Sequence, residues 1–156
     1  MITINKILLP TKILEKTLNT FRDYGNNYLE AFSLWVGEEK GNTFAIKNVW
    51  FPKQENTMIS YYISDIDVHY INVRLNKKKY TILAQLHTHP GDAFHSCIDN
   101  HFSILTLPGS FSIVVPDFGD IIINKDLNNL EVYRLLEREW KLKSVEEVGH
   151  LFKLIK

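Results

Sequence analysis

The sequence predicts a single-domain α/β fold, and three observations carry that expectation. Strand-like apolar runs alternate with helical stripes along the whole chain. The 156 residues, 45% of them hydrophobic, suffice for one core without a disulfide framework, which the single cysteine, Cys97, could not build. No repeat, low-complexity segment or linker divides the order. In that order, Pro10 and Thr11 open a helix to about Tyr24, with Leu14, Leu18 and Phe21 on one stripe and Gly25 as its stop. Glu30 to Val36 and Thr43 to Phe51 read as strands of a hairpin joined by the polar turn EEKGN. Ser64 with Asp67 marks a second helix start, with Ile66, Tyr70 and Val73 as its stripe. Tyr80 to His87 is a strand stopped by Pro90 and Gly91. A short helix should follow Asp99 to about Leu105, and Pro108-Gly109 should turn the chain. Phe111 to Val115 and Ile121 to Ile123 then return as strands around the PDFGD turn, and Leu130 to Leu136 adds another. Ser144 and Glu147 form a capping box for a closing helix with Val145, Val148, Leu151, Phe152 and Ile155 on one face.

The stretch HTHPGDAFHSCID carries the chemistry. Side chains alternate along a strand, so His87 and His89 project from one face wherever extended geometry persists. Two imidazoles on one face can chelate an ion without backbone rearrangement. A third ligand from elsewhere, such as Asp99, would complete a three-ligand zinc site with a fourth position for water. Nitrogen and oxygen donors suit zinc without excluding other divalent metals. Each histidine alone also reads as a hydrogen-bonded structural residue, and Ser96 with Asp99 also resembles a helix cap.

Taken together, Glu30 to Gly37, then His87-x-His89-Pro90, then Ser96-x-x-Asp99 resemble the motif of the JAMM (MPN-plus) zinc metalloproteases. Six residues separate His89 from Ser96, one fewer than in the family's most familiar members. The likeness extends through the strand ahead of His87 and the SFSIVVPDFG run. It implies a JAB/MPN fold, a mixed central sheet flanked by helices like that of cytidine deaminases. It further implies Zn2+ held by His87, His89 and Asp99, with Glu30 as acid/base and Ser96 supporting the oxyanion. By the same resemblance the substrate is the C-terminal tail of a ubiquitin-like protein or its conjugates. Ubiquitin-activating-like and conjugating-like enzymes are the implied partners, and bacterial antiphage conjugation systems the implied setting. Two other readings stay open: an inactive MPN-type binding module, which would generally lack the ligands, and a metallo-amidase or peptidase acting on sulfur-carrier or small-molecule amides.

Charge and hydropathy narrow the partners. Eighteen basic and eighteen acidic residues balance, which gives no general attraction for nucleic acid or anionic membrane. Arg74 and Lys77-Lys78-Lys79 form the strongest local patch, expected as a solvated helix end. Met1 to Leu9 is too short and too early closed by Pro10 for a signal peptide or membrane span, so a cytoplasmic location is expected. Cys97 reads as a small hydrophobe rather than a nucleophile. His95 and His101 are placed to be alternative or outer ligands. His69 and His150 belong to helices away from the motif, and Trp35, Trp50 and Phe51 are expected in the core.

Overall fold

The computed structural model describes residues 1, 3–92, 104–120 and 127–156. Its first elements are β1 (Lys6–Pro10), α1 (Thr11–Gly25), β2 (Phe32–Lys40), β3 (Thr43–Trp50), β4 (Glu55–Asn56), β5 (Tyr61–Tyr62) and α2 (Asp65–Lys78). After these come β6 (Thr81–Thr88), β7 (Phe111–Val115), a short turn of helix at Asp117–Gly119, β8 (Glu131–Leu136), β9 (Glu139–Leu142), α3 (Val145–Leu151) and β10 (Phe152–Ile155). Eight strands form one mixed sheet in the order β10-β1-β3-β2-β6-β7-β8-β9, and β4 pairs with β5 in a separate ribbon. β1 runs parallel to both β10 and β3, and β6 runs parallel to β7. The remaining pairs of the sheet are antiparallel. The mixed α/β class expected from the sequence is therefore the one observed.

Each face of the sheet has its own apolar cluster. α1 and α3 cover the first, where Leu14, Leu18 and Phe21 pack with Trp35, Leu86, Phe111 and Val148. α2 covers the second, where Ile71 packs with Phe32, Leu34, Val36, Trp50 and Ile82. Removing one large side chain such as Phe21 from water is worth roughly 1.5–3 kcal/mol, so these two clusters are the main favourable term. The first also carries a buried polar relay. Trp35 Nε1 donates to Thr17 Oγ1 at 3.0 Å, and Thr17 Oγ1 donates to the Ile13 carbonyl at 2.7 Å. That relay satisfies the indole N–H inside the core.

Local chemistry sets the element ends. Pro10, at φ −61°, caps α1, and the helix stops at Gly25 as expected. Ser64 Oγ accepts the Asp67 N–H at the start of α2, whose C-cap, Lys79, sits in left-handed conformation at φ 54°. The lysine run is thus a helix end. Ser144 and Glu147 complete the capping box of α3. Trp35 and Trp50 are buried, and Phe51 is partly buried against the α1-side cluster. His69 in α2 and His150 in α3 are exposed.

Several expectations need correction. The strand expected from Glu30 begins at Phe32 and continues through Lys40, so Glu38, Glu39 and Lys40 pair with β3 and the turn contracts to Gly41 and Asn42. A bulge at Val36/Gly37 re-registers the hairpin, and a Cβ on Gly37 would overlap the Ala45 carbonyl oxygen. The stripe Ile66, Tyr70 and Val73 faces solvent, while Ile71 is buried. α3 ends at Leu151, and Phe152 to Ile155 leave it as β10, because parallel pairing with β1 outweighs one more helical turn. Val145 is exposed rather than on a packed face. β1, the β4–β5 ribbon and β9 were not expected, and β9 extends the antiparallel run beyond β8. The helix expected after Asp99 falls largely, and the strand at Ile121 to Ile123 wholly, outside the described residues. Among the described residues, no helix is long and apolar enough to cross a membrane.

Candidate metal centre

His87 is the seventh residue of β6, a strand held between β2 and β7 in the middle of the sheet. Period-two alternation assigns the faces. Leu86 packs in the α1-side cluster, and Gln85 on the opposite face accepts from the Leu105 N–H, Leu105 itself being part of the α2-side cluster. His87 returns to the α2 side, where its ring lies 5.7 Å from that of Tyr61. His89 lies one residue past the strand, yet its N–H donates to the Val115 carbonyl at 3.0 Å, so pairing with β7 continues. Extended geometry therefore persists through His89, as the shared face requires.

The two imidazoles converge. His87 Nε2 and His89 Nε2 are 3.2 Å apart, with ring centroids 5.1 Å apart and planes inclined at 50°. Both residues are buried, at 0% and 6% exposure, so their polar edges meet inside the protein. Two nitrogens bound at ~2.0–2.1 Å to one tetrahedral zinc ion would stand about 3.3 Å from each other. The observed separation fits that bite, and neutral nitrogen donors are chemically suited to such an ion. The same separation also permits one N–H···N hydrogen bond when the tautomers differ. Among the described residues, no three His, Cys, Asp or Glu side chains gather as a complete ligand set. Ser96 and Asp99, with His95, Cys97 and His101, lie outside the described residues.

Thr88 points the other way and ties the histidine strand to the segment of Glu30. Its Oγ1 accepts the Ala31 N–H at 2.9 Å, and its own N–H donates to the Ala31 carbonyl at 3.0 Å. Ala31 belongs to the α1-side cluster and Phe32 to the α2-side cluster, so alternation returns Glu30 to the face of the two histidines. Phe32 is the register partner of His87. Glu30 is 5% exposed, and both ends of its peptide are anchored by the ribbon. Its N–H donates to the Thr57 carbonyl at 2.8 Å, and its carbonyl accepts from Asn56 Nδ2 at 2.7 Å. Gln54 repeats the device one residue further on. Its Oε1 accepts the Phe32 N–H and its Nε2 donates to the Phe32 carbonyl. Side-chain amides thus replace a strand partner just where β2 begins.

Beyond β7 the chain turns back onto the histidine segment. The Phe118 N–H donates to the His89 carbonyl at 2.8 Å, and the Asp117 N–H to the Gly91 carbonyl at 3.1 Å. Asp117, Phe118 and Gly119 have φ of 50°, 54° and 84°, three left-handed residues in succession. Each non-glycine residue in that region costs roughly 1–2 kcal/mol, which the surrounding contacts must offset. The sequence reading missed Gln54, Asn56, Thr57, Tyr61, Thr88 and Phe118 as parts of this neighbourhood. Thr88 was legible in principle, since a polar residue between two facing histidines must serve the opposite side of a buried strand.

No protein-family profile matches the chain. Over 120 residues it is 32% identical to the probable metalloprotease y4jG of Sinorhizobium fredii, the match covering 74% of this chain and 74% of that relative. The solution structure of protein DSY2949 from Desulfitobacterium hafniense superposes with a TM-score of 0.67 at 14% identity, covering 96% of this chain and 93% of the other. That second likeness is one of fold alone.

Proposed function

Because the chain belongs to the metalloprotease family of its Sinorhizobium relative, we propose that it is a JAMM (MPN-plus) zinc peptidase that cuts the amide bond after the C-terminal tail of a ubiquitin-like protein. The observation that carries this reading is the pair of imidazole Nε2 atoms 3.2 Å apart on one face of a central strand. His87 and His89 would hold the zinc with Asp99. The ion supplies Lewis acidity, bringing the pKa of water towards ~7 and polarising the scissile carbonyl.

The protein's own groups do the rest. Glu30 accepts a proton from the attacking water and delivers it to the departing amine, general acid/base work worth ~10²- to 10⁴-fold. Ser96 donates a hydrogen bond to the tetrahedral oxyanion, a role whose loss costs on the order of 10²- to 10³-fold. Burial of Glu30 and both ends of its peptide bonded to Asn56 and Thr57 favour this assignment, since a general base must be held in place. A macromolecular substrate is favoured by the exposed Met58, Ile59 and Tyr62 on the same ribbon. Exposed apolar side chains grouped on one short ribbon suit contact with other chains. The ubiquitin-like carrier and its activating-like and conjugating-like enzymes are the proposed partners, and the cytoplasm the proposed location.

The decisive experiment is cleavage of a ubiquitin-like fusion by wild type and Glu30→Gln, with and without a chelator. Tail cleavage that needs both Glu30 and metal is the expected result. Zinc content should be near-stoichiometric in wild type and in Glu30→Gln, and lost in His87→Ala and Asp99→Ala. Unchanged metal in the last two would refute the ligand assignment, whereas bound zinc without fusion cleavage would redirect the search to other amides.

A further inference from the structure

We propose that the left-handed Asp117–Gly119 turn, locked against the end of α1 by Gly25 and Arg22, is a positioning device that sets His89 for metal binding. The inference rests on the metal role assigned to His87 and His89, and it adds residues outside the proposed ligand set.

The contacts form a continuous chain. The peptide of His89 is held at one end by the Val115 carbonyl and at the other by the Phe118 N–H, so the turn after β7 fixes where that histidine leaves β6. The next-but-one residue is held too, since the Asp117 N–H reaches the Gly91 carbonyl. Consecutive left-handed residues aim both N–H groups back at the loop, a conformation that isolated peptide would abandon. α1 keeps it in place. Arg22 Nε donates to the Gly119 carbonyl at 3.0 Å. A Cβ on Gly25 would overlap the Cβ of Phe118, and a Cβ on Gly119 would come within 2.9 Å of the Phe21 Cβ. The helix end and the turn therefore pack with no room for a Cβ at Gly25, which faces the Phe118 Cβ and carbonyl oxygen. Any added atom at Gly25 must displace Phe118, whose N–H carries the bond to His89.

Outer groups that orient a metal ligand typically change metal affinity by 10- to 100-fold when altered. The test is the zinc dissociation constant, measured by competition with a chromophoric chelator, for wild type, Gly25→Ala and Gly25→Ala/Phe118→Gly. Gly149→Ala is the control, because a Cβ there meets nothing within 4 Å. Thermal stability of the metal-free proteins is followed in parallel. Gly25→Ala should bind zinc about tenfold more weakly, Gly149→Ala should match wild type, and the double variant should recover in part, because glycine at 118 removes the clashing Cβ and accepts the left-handed backbone while the backbone carbonyl oxygen there stays 3.0 Å from the added Cβ. Should Gly25→Ala fail to fold, Arg22→Ala decides, since it loosens the Gly119 carbonyl without adding an atom and should weaken zinc by about tenfold. Zinc binding unchanged in folded Gly25→Ala, or in Arg22→Ala where that variant decides, would overturn the inference, as would a double variant that stays as weak as the single. A wild-type protein that binds no zinc would instead refute the site assignment and this inference with it.

Discussion

Thr88→Val probes the joint between the two halves of the proposed site. The hydroxyl lost is the acceptor for the Ala31 N–H at 2.9 Å, in a place where Thr88 and Ala31 are both fully buried. Valine keeps the branch at Cβ and the strand preference, so the perturbation is confined to one hydrogen bond. Leaving a buried donor without its acceptor costs about 1–3 kcal/mol. The methyl that replaces the hydroxyl returns up to ~0.8 kcal/mol of apolar burial, which leaves a net loss of about 0.2–2 kcal/mol. At about 2–4 °C per kcal/mol for a chain of this size, the melting temperature should fall, by up to about 8 °C. The reverse bond, from the Thr88 N–H to the Ala31 carbonyl, survives, so the sheet should stay intact by far-ultraviolet circular dichroism. Since Ala31 follows Glu30, turnover should fall while zinc content holds. A melting temperature equal to or above that of wild type would refute the reasoning, because it would mean that Ala31 finds another acceptor at no cost.

Three further outcomes follow from the same geometry. Thr17→Val should destabilise by about 1–3 kcal/mol, because Trp35 Nε1–H then lies buried without its acceptor; urea titration with tryptophan fluorescence measures it, and an unchanged midpoint would contradict the relay. Phe111→Ala, at a fully buried ring 5.5 Å from that of Phe152, should cost about 3–5 kcal/mol, and a loss under about 1 kcal/mol in the same titration would mean the core refills the cavity. The Glu147 carboxyl is held below its ordinary value of 4.5, first by the hydrogen bond from Lys143 and then by the Ser144 N–H. A depressed folded-state pKa stabilises above the ordinary value and loses that contribution as pH falls through the folded one. The melting temperature of wild type should therefore exceed that of Glu147→Gln near neutrality, with the difference closing in acid; a gap that persists or widens in acid would reverse the sign.

Legibility in the sequence tracked how local each signal was. α1 was readable because its start, stripe and stop sit within one stretch, and α3 because Ser144 and Glu147 make a reciprocal cap. The histidine pair was readable because strand alternation is a property of three consecutive residues. Non-local pairing was not. β1 and β10 stabilise each other in parallel across nearly the whole chain, with no turn residue to announce them. Phe152 and Ile155 match a helical period, yet the chain leaves the helix to pair with β1. In α2 apolar residues occur on both sides, and periodicity alone chose Ile66, Tyr70 and Val73 over Ile71 and Leu75. The polar clasp around Glu30 was hidden for a related reason: Gln54, Asn56 and Thr57 act on backbone more than twenty residues away.

The pairing of β1 with β10 also orders events during synthesis. Ile7 lies beside Phe152, and Thr11 Oγ1 donates to the Ile155 carbonyl, so the first strand cannot be covered on that side until the ribosome has delivered β10. Until then β1 presents open N–H and C=O groups while α1 beside it is already competent to form. Parallel partners so distant are slow to meet, since a long loop must close before either strand gains its bonds. An uncovered edge during that interval is a template for pairing with a neighbouring nascent chain. Yield in cells should therefore depend on how quickly translation passes from β1 to β10, a kinetic vulnerability set by topology even though the finished sheet has β1 safely inside it.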